Sequence, residues 1–165
     1  MISKNDVFDA IKHEIHVLKH LAEKLDASQM DYRPTEGQRS TIELLRFLTT
    51  CSIGPAMFLM NGNFEHGPDL QEKAASVTLE NFGEALDNQM AELESYLADF
   101  DDDALAARKV MLPWGQESTM AVGLMNFCVK FIAAYKLQLF LYMKSMGMSD
   151  LTTPNCWGGM DAFPS

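Results

Sequence analysis

The chain has 165 residues, of which 47% are hydrophobic, and it carries a formal net charge of −10 at pH 7. A chain of this length can bury roughly 70% of the surface that it exposes when unfolded, so we expect residues 1–165 to form a single domain with one core. The acidic balance argues against nucleic-acid binding, because phosphate contacts require clustered Lys and Arg and the sequence has no basic run.

The first predicted element is an amphipathic helix from about Asp6 to Leu25. Its apolar residues recur every three or four positions, which is typical of a helix with one buried face. Asn5 or Asp6 is a suitable N-cap for this helix. The apolar residues of the stripe are Phe8, Ile11, Ile15, Leu18, Ala22 and Leu25.

Three of the four histidines share one face of this helix, at spacings of three and four residues, opposite the apolar stripe. We expect that face to be solvated and without a dedicated function, although it could bind a transition metal or help to form a dimer. The fourth histidine is expected to be solvated in a loop. The three helical residues are His13, His16 and His20, and the loop residue is His66.

Helix two begins at a capping box, in which Ser40 is followed three residues later by Glu43. The pair Gly54-Pro55 predicts a kink or break, because proline lacks the amide hydrogen that an interior helical turn needs. After a short continuation to Met60, we expect residues 63–76 to form a loop, since this stretch contains Gly67-Pro68.

Helix three is predicted from Leu79 to Leu97, with Thr78 as its N-cap. An acidic connection follows at residues 99–103, and it lacks the alternating ligands and the glycine of a calcium loop. Residues 109–113 are expected to be briefly extended.

Helix four is predicted to run from about Thr119 to Met146 and to end at Gly147. It is apolar almost all round, which indicates the most buried helix. Lys130 and Lys136 interrupt the apolar run, so we expect a core helix rather than a membrane span. The Gly- and Pro-rich tail is expected to be anchored by Trp157. Four long helices in a domain of this size predict an all-α four-helix bundle.

Short motifs at the helix boundaries resemble those of a known family. They are Tyr32-Arg33-Pro34 and Arg39-Ser40-Thr41 before helix two, Pro113-Trp114-Gly115 before helix four, and Gln138-Leu139 with Met146-Gly147 near its end. In this order and spacing, the chain resembles the DinB-like (YfiT-like) bundles of bacteria, once described as metal-dependent hydrolases. The resemblance spans nearly the whole chain and implies an up-down-down-up bundle that is often a homodimer.

Members of that family typically bind a divalent metal with three histidines, one on helix two and an H-x-x-x-H pair on helix four. By the resemblance, Phe47, Phe131 and Tyr135 occupy these positions, and none of them is a normal ligand of zinc or nickel. The resemblance therefore implies a degenerate metal site, and we expect neither a bound divalent metal nor another cofactor. The three aromatic side chains either form plain core or line a pocket.

Two cysteines lie near these aromatic residues in sequence, Cys51 one turn beyond Phe47 and Cys128 about one turn before Phe131. In the family's topology they would share one side of the former metal site, as ordinary buried cysteines, a thiol pair or a soft-metal site. Cys156, in the tail, is expected to be exposed or half-buried. Polar groups on one face of helix four are expected to converge nearby, bonded to one another or to a ligand. The predicted pocket comprises Phe47, Cys51, Cys128, Phe131, Tyr135, Gln138 and Tyr142.

These features predict a cytoplasmic, non-catalytic homodimer that binds a small molecule or another partner, but neither nucleic acid nor membrane. The odd number of cysteines without local pairs favours a reducing compartment, and the first nine residues do not resemble a signal peptide. The alternative is a thiol-dependent transferase or hydrolase that uses a repurposed pocket. A DNA-binding role, indicated only by the family's name, is disfavoured by the charge.

Overall fold

A computed structural model describes residues 2–164 of the chain. Its elements are almost all helical, with one short antiparallel hairpin after the sixth helix. In chain order they are α1 (Lys4–Ala22), a 3₁₀ turn (Ala27–Gln29), α2 (Thr41–Leu48), α3 (Ile53–Asn61), α4 (Gly67–Ala75), α5 (Phe82–Tyr96), α6 (Asp102–Ala107), β1 (Lys109–Met111), β2 (Glu117–Thr119), α7 (Met120–Gly123), a π-helical turn (Leu124–Val129), α8 (Lys130–Ser145) and α9 (Thr153–Trp157).

The core is a bundle with four corners. One corner is α1, another is the bent pair α2–α3, the third is α5, and the fourth is the continuous helix Met120–Ser145, called the long helix below. Both α1 and α2–α3 pack against α5 and against the long helix, so α1 and α2–α3 stand at opposite corners. The predicted all-α four-helix bundle is confirmed.

Helix α1 begins earlier than the sequence predicted. Ser3 is the N-cap: its hydroxyl accepts a hydrogen bond from the Asp6 amide at 3.0 Å, and the Asp6 carboxylate accepts one from the Ser3 amide at 2.8 Å. Asp6 is therefore the third residue of the helix, where it completes a capping box with Ser3, rather than the cap itself. The predicted boundary was wrong because an aspartate can serve either as the N-cap or as the N3 partner of a serine cap, and here it does the latter.

The bend between α2 and α3 comes before the proline that was expected to cause it. The capping box of Ser40 and Glu43 starts α2 as predicted, but the helix ends at Leu48 and the two segments meet at 50°. Pro55 lies in the first turn of α3, where its missing amide hydrogen has no helical partner to lose. The predicted break at Gly54-Pro55 is thus corrected to residues 49–52.

A buried glutamine from α5 satisfies the backbone groups that this bend exposes. The Gln89 side-chain oxygen accepts a hydrogen bond from the Ser52 amide at 2.7 Å, and its nitrogen donates to the Leu48 carbonyl at 3.2 Å. Gln89 is only 2% exposed, so these bonds form away from water. An unpaired buried amide or carbonyl costs about 1–3 kcal/mol. By bonding to both groups, Gln89 removes this cost and stabilises the bend within the core.

Two predicted connections contain helices. The stretch expected to be a loop at residues 63–76 holds α4, in which Pro68 stands in the first turn, a position that proline favours. The acidic connection holds α6, whose N-cap Asp101 accepts a hydrogen bond from the Ala104 amide at 2.8 Å. In contrast, helix three begins later than predicted, at Phe82, because Thr78 and Asn81 first close a turn through reciprocal hydrogen bonds.

The long helix is entered through the hairpin and contains one irregular turn. Strand β1 falls within the stretch predicted to be extended, and it pairs with β2 in the register Val110↔Ser118. The π-helical turn separates α7 from α8. The helix ends at Ser145 with Met146 as its C-cap, and the terminating glycine is Gly147, as predicted, with a φ of +92° that suits glycine. Length and apolar composition would also suit a membrane span, but this helix packs against α1, α2 and α3 as the core of the bundle.

The tail is anchored by residues other than the predicted one. Trp157 is 62% exposed, whereas its neighbours Asn155 and Cys156 are buried, which corrects both the expected anchor and the expected exposure of this cysteine. The Asn155 amide nitrogen lies 3.0 Å from His20 Nε2, so the tail covers part of the histidine face of α1. His13 and His16 are exposed as expected, but His20 is not, with a side chain only 13% exposed.

Candidate functional site

Three aromatic side chains from two helices meet at one place in the bundle. Phe47 on α2 lies 6.1 Å from Phe131 and 4.7 Å from Tyr135, measured between ring centroids, and the two residues of α8 are 5.0 Å apart. Every pair is edge-to-face, which is a favourable arrangement of aromatic rings. All three are half-buried, so this aromatic trio neither fills a closed core nor lies free in solvent.

A positively charged side chain covers one edge of the trio. The Arg39 guanidinium carbon lies 3.9 Å from the centroid of Phe47 and 5.9 Å from that of Tyr135. Such cation–π contacts contribute about 0.5–1 kcal/mol at exposed sites. Sequence analysis placed Arg39 only in a boundary motif, and nothing in its local pattern indicated that it reaches the aromatic rings.

The backbone of Arg39 is held in place by the polar side chains of α8. The Tyr142 hydroxyl donates a hydrogen bond to the Arg39 carbonyl at 2.9 Å, and the Gln138 amide donates to the Tyr142 hydroxyl at 2.9 Å. Neither Gln138 nor Tyr142 lines the cleft described next. These two predicted pocket residues therefore support the site from behind, with their polar groups satisfied inside the protein.

An open cleft of about 490 Å³ lies beside the aromatic trio, between α2–α3 and α4. Phe47 and Phe131 form part of one wall, and Pro68 and Leu70 of α4 form part of the other. This volume is within the range that small-molecule sites occupy, and the walls are mainly apolar. The second wall was missed from sequence because α4 was predicted to be a loop.

Further aromatic rings extend the trio towards the surface. Phe127, in the π-helical turn, lies 5.3 Å from Phe131, 5.8 Å from Trp114 and 5.9 Å from Phe58. Phe58 in turn contacts Phe64, at 4.4 Å between centroids. Trp114 and Phe64 are more than half exposed, and a continuous row of rings connects them to the Phe47 ring beside Arg39.

A smaller depression of about 280 Å³ adjoins the cleft and shares Phe47, Thr50 and Gln71 with it. Its other polar residues are Arg39, Arg46 and Glu43. We call it the arginine depression. It gives the apolar cleft one charged edge.

Sequence comparison identifies the family at this point. The sequence model of the DinB superfamily matches residues 10–131, well over half of the chain. The chain belongs to the DinB superfamily. A search among curated proteins found no match to it.

Solved structures agree with this DinB-superfamily fold. A DinB-like protein from Bacillus subtilis, YjoA, superposes with a TM-score of 0.67 at 22% identity, covering 90% of this chain and 96% of that one. A candidate DinB-family member from Exiguobacterium sibiricum gives a TM-score of 0.62 at 19% identity, with 91% and 97% covered. At these identities the likeness concerns the fold.

The residues at this DinB site do not fit the divalent metal that the resemblance implied. Phe47, Phe131 and Tyr135, the positions at which the resemblance would place histidines, offer aromatic rings instead of nitrogen ligands, and the Arg39 guanidinium adds positive charge beside them. Across residues 2–164, no group of three or more His, Cys, Asp or Glu side chains is placed to hold a metal ion.

The two predicted pocket cysteines differ in their access to the cleft. Cys51 lines it, and its thiol lies 3.4 Å from the Phe47 carbonyl, whereas Cys128 is not among the lining residues. Both are buried, and burial raises the pKa of each thiol far above its ordinary value. Arg39 opposes this rise in the pKa of Cys51 only in part. Neither thiol is therefore activated as a nucleophile in this conformation.

A second side of the long helix carries a buried ion pair that sequence analysis missed. Lys136 Nζ lies 2.8 Å from Glu14 Oε2 of α1, and the two side chains are 3% and 12% exposed. The Trp157 ring of the tail lies 4.9 Å from the same Nζ. Lys136 was interpreted as an interruption of an apolar run, yet its spacing from the buried residues Ile132 and Leu139 places it on the inner face.

Proposed function

We propose that this DinB-superfamily protein binds a small organic molecule in the cleft beside Phe47 and Phe131, without metal chemistry. The open apolar cleft of about 490 Å³ at this place carries the proposal. A ligand in it would remove half-buried aromatic surface from water, a gain of roughly 25 cal/mol for each Å² of apolar surface. The aromatic trio thus replaces a metal-type site with an apolar recognition surface.

The chemistry of the lining favours binding over catalysis. Among the described residues the cleft has one thiol, Cys51, whose pKa is raised by burial, and one imidazole, His66, at its rim. A thiol-dependent transferase or hydrolase would need a thiolate, which an apolar burial site disfavours. Cys51 lining the cleft is the observation that keeps this alternative worth testing.

The same proposal includes a cytoplasmic homodimer. The three cysteines are free thiols, which supports a reducing compartment. Helix α8 presents Ala134, Leu137 and Leu141 to solvent at spacings of three and four residues, an apolar stripe that a second copy would cover. We expect light scattering to give the mass of a dimer and Leu141→Lys to shift it towards a monomer; a monomeric wild type would contradict this part.

Binding to the cleft is tested with N-phenyl-1-naphthylamine, a neutral aromatic probe whose fluorescence rises in apolar sites. The variant Gly54→Leu would fill part of the cleft, because Gly54 and Leu70 both line it and a Cβ added at Gly54 would lie 3.4 Å from the flexible Leu70 side chain. We expect saturable binding by the wild type and loss of binding by this variant.

A matched control is available in another helix. A Cβ at Gly83 on α5 would make ordinary contact with the Lys19 side chain, at 3.8 Å and away from the cleft, so Gly83→Leu should bind the probe as the wild type does. Binding that survives Gly54→Leu unchanged, or that is absent from the wild type, would refute the proposal.

A further inference from the structure

We infer that the ligand of this cleft is an organic monocarboxylate with a flat apolar body. The inference rests on the proposed function, since it describes the molecule that the same cleft would bind. Its basis is that the apolar cleft opens on one edge into the arginine depression, where the guanidinium groups of Arg39 and Arg46 form no ion pair with a carboxylate of residues 2–164.

Arg39 is the first of these cations. It is exposed, its guanidinium carbon lies 3.9 Å from the centroid of the Phe47 ring, and its backbone carbonyl is held by Tyr142. Within residues 2–164 its guanidinium makes no ion pair closer than 4 Å, so its hydrogen-bond donors remain available at the edge of the cleft. A carboxylate beside it would gain charge-assisted hydrogen bonds, which are stronger than neutral ones.

Arg46, in the last turn of α2, is the second cation. Its Nε donates to the Val77 carbonyl at 3.1 Å, which orients the guanidinium and leaves its other nitrogens free of acidic partners in the described chain. Arg39 and Arg46 both line the depression that Phe47, Thr50 and Gln71 join to the cleft. A molecule that packs on Phe47 would therefore place a charged substituent between the two arginines.

One carboxylate, that of Glu43, also lines the arginine depression, and its negative charge opposes the positive charges of Arg39 and Arg46. Glu43 accepts a hydrogen bond from the Ser40 amide at 2.7 Å and pairs with Arg33 at 3.2 Å. Its charge is already compensated by the α2 N-terminus and by Arg33. The local sum of Arg33, Arg39, Arg46 and Glu43 remains positive, on a chain whose overall charge is −10. This local reversal of sign favours an anionic group and opposes a cationic one.

The expected shape of the ligand's apolar part follows from the residues that line the cleft. Phe47, Phe64, Phe127 and Phe131 all line the cleft, and rings bind other rings through edge and face contacts. Within the described chain, the arginine depression is the one charged edge of the cleft, and a planar carboxylate accepts two parallel hydrogen bonds from a guanidinium there. The class is therefore a flat aromatic acid with one carboxylate.

Calorimetry with a matched pair of probes tests this assignment. The probes are naphthalene-2-carboxylate and naphthalene-2-carboxamide, which have nearly the same shape but differ in charge. We expect the wild type to bind the carboxylate at least about tenfold more tightly, and this ratio to shrink as salt is added. Arg39→Gln and Arg46→Gln should each reduce the ratio without weakening carboxamide binding, and Arg39→Lys should retain most of it.

The control for net charge is Lys12→Gln on α1, where Lys12 pairs with Glu94 far from the cleft, and it should leave the ratio unchanged. Equal affinity of the wild type for both probes would overturn the inference while the proposed function stands. A preference for the carboxylate that survives both Arg→Gln variants would also overturn it. If the wild type binds neither naphthalene probe and also does not bind N-phenyl-1-naphthylamine, both this inference and the proposed function are overturned.

Discussion

Two sides of the long helix differ in polarity and in exposure to solvent. Towards α2, Phe131 lines an open cleft, and Tyr135 packs on Phe131 without lining the cleft itself. Both rings are half-buried, and aromatic rings tolerate partial exposure at little cost. Towards α1, Lys136 is paired with Glu14 and covered by the tail, because a charge removed from water must be both paired and enclosed. The comparison shows that an apolar lining can remain open to solvent, whereas a buried charge needs a partner and a cover. We therefore expect substitutions at the ion pair to lower the free energy of unfolding more than substitutions at the cleft.

The largest effect is expected from breaking the ion pair. Lys136→Met leaves Glu14 charged, mostly buried and without its partner, so we expect a loss of about 3–5 kcal/mol in the free energy of unfolding. Urea denaturation followed by circular dichroism measures this change. The double variant Glu14→Leu/Lys136→Met removes both charges and should recover most of the stability. A single variant as stable as the wild type would show that the pair is solvated in solution.

The aromatic side can be tested by restoring metal ligands. Phe47→His/Phe131→His/Tyr135→His should retain about one equivalent of zinc after dialysis, whereas the wild type should retain less than about a tenth. Zinc at about a hundredfold excess over its dissociation constant should then stabilise the variant by about 2.7 kcal/mol. Elemental analysis and thermal unfolding measure the two effects. Failure of the variant to hold zinc would mean that these rings do not occupy ligand positions.

The buried thiols beside the cleft predict a decrease in stability at high pH. Since burial raises the pKa of Cys51 and Cys128, the folded state holds their protons more tightly than the unfolded state does. Stability is therefore fully present below the ordinary thiol pKa and falls above about pH 9, by about 1.4 kcal/mol per pH unit for each thiol. Urea denaturation between neutral and alkaline pH measures the slope.

The control for the thiols is the double variant Cys51→Ala/Cys128→Ala, which should flatten that slope. In the wild type at neutral pH, a thiol reagent should label these residues only after denaturation. Rapid labelling of Cys51 in the native protein would instead favour the thiol-dependent alternative.

The smallest change in stability is expected from removing the Trp157 ring that covers the ion pair. Trp157→Leu removes a ring 4.9 Å from Lys136 Nζ while leaving Asn155 and Cys156 to hold the tail. Because Trp157 is largely exposed, we expect a loss of only about 0.5–1 kcal/mol in urea denaturation. The comparison variant is Trp114→Leu, which removes a ring 5.8 Å from the cleft residue Phe127, and it should alter binding of the neutral probe more than stability.

The parts of the fold that could be predicted from sequence are those set by local chemistry. The Ser40–Glu43 capping box and the Gly147 terminus depend on residues a few positions apart, and both were placed correctly. Helix α4 was missed because Gly67-Pro68 is compatible with a loop and with a first helical turn alike. The bend after Leu48 could not be predicted, since Gln89 satisfies it from 41 positions away in sequence.

The same limit applies to the candidate site. The contact between Phe47 and the pair Phe131 and Tyr135 was expected from helical spacing and from the family resemblance, and the structure brings these rings together. The arginine on the trio and the ion pair of Lys136 depend on tertiary packing that no local pattern encodes. Sequence analysis thus indicated where the site lies but not its charge.

The π-helical turn at Leu124–Val129 has a consequence for comparing this protein with its relatives. A turn with one additional residue offsets the two halves of the long helix by about 100°, the rotation of one helical position. Relatives with a regular helix here would need a one-residue gap in any alignment before Phe131 and Tyr135 fall opposite their true counterparts. An ungapped alignment would pair each of these rings with a neighbour on the wrong face.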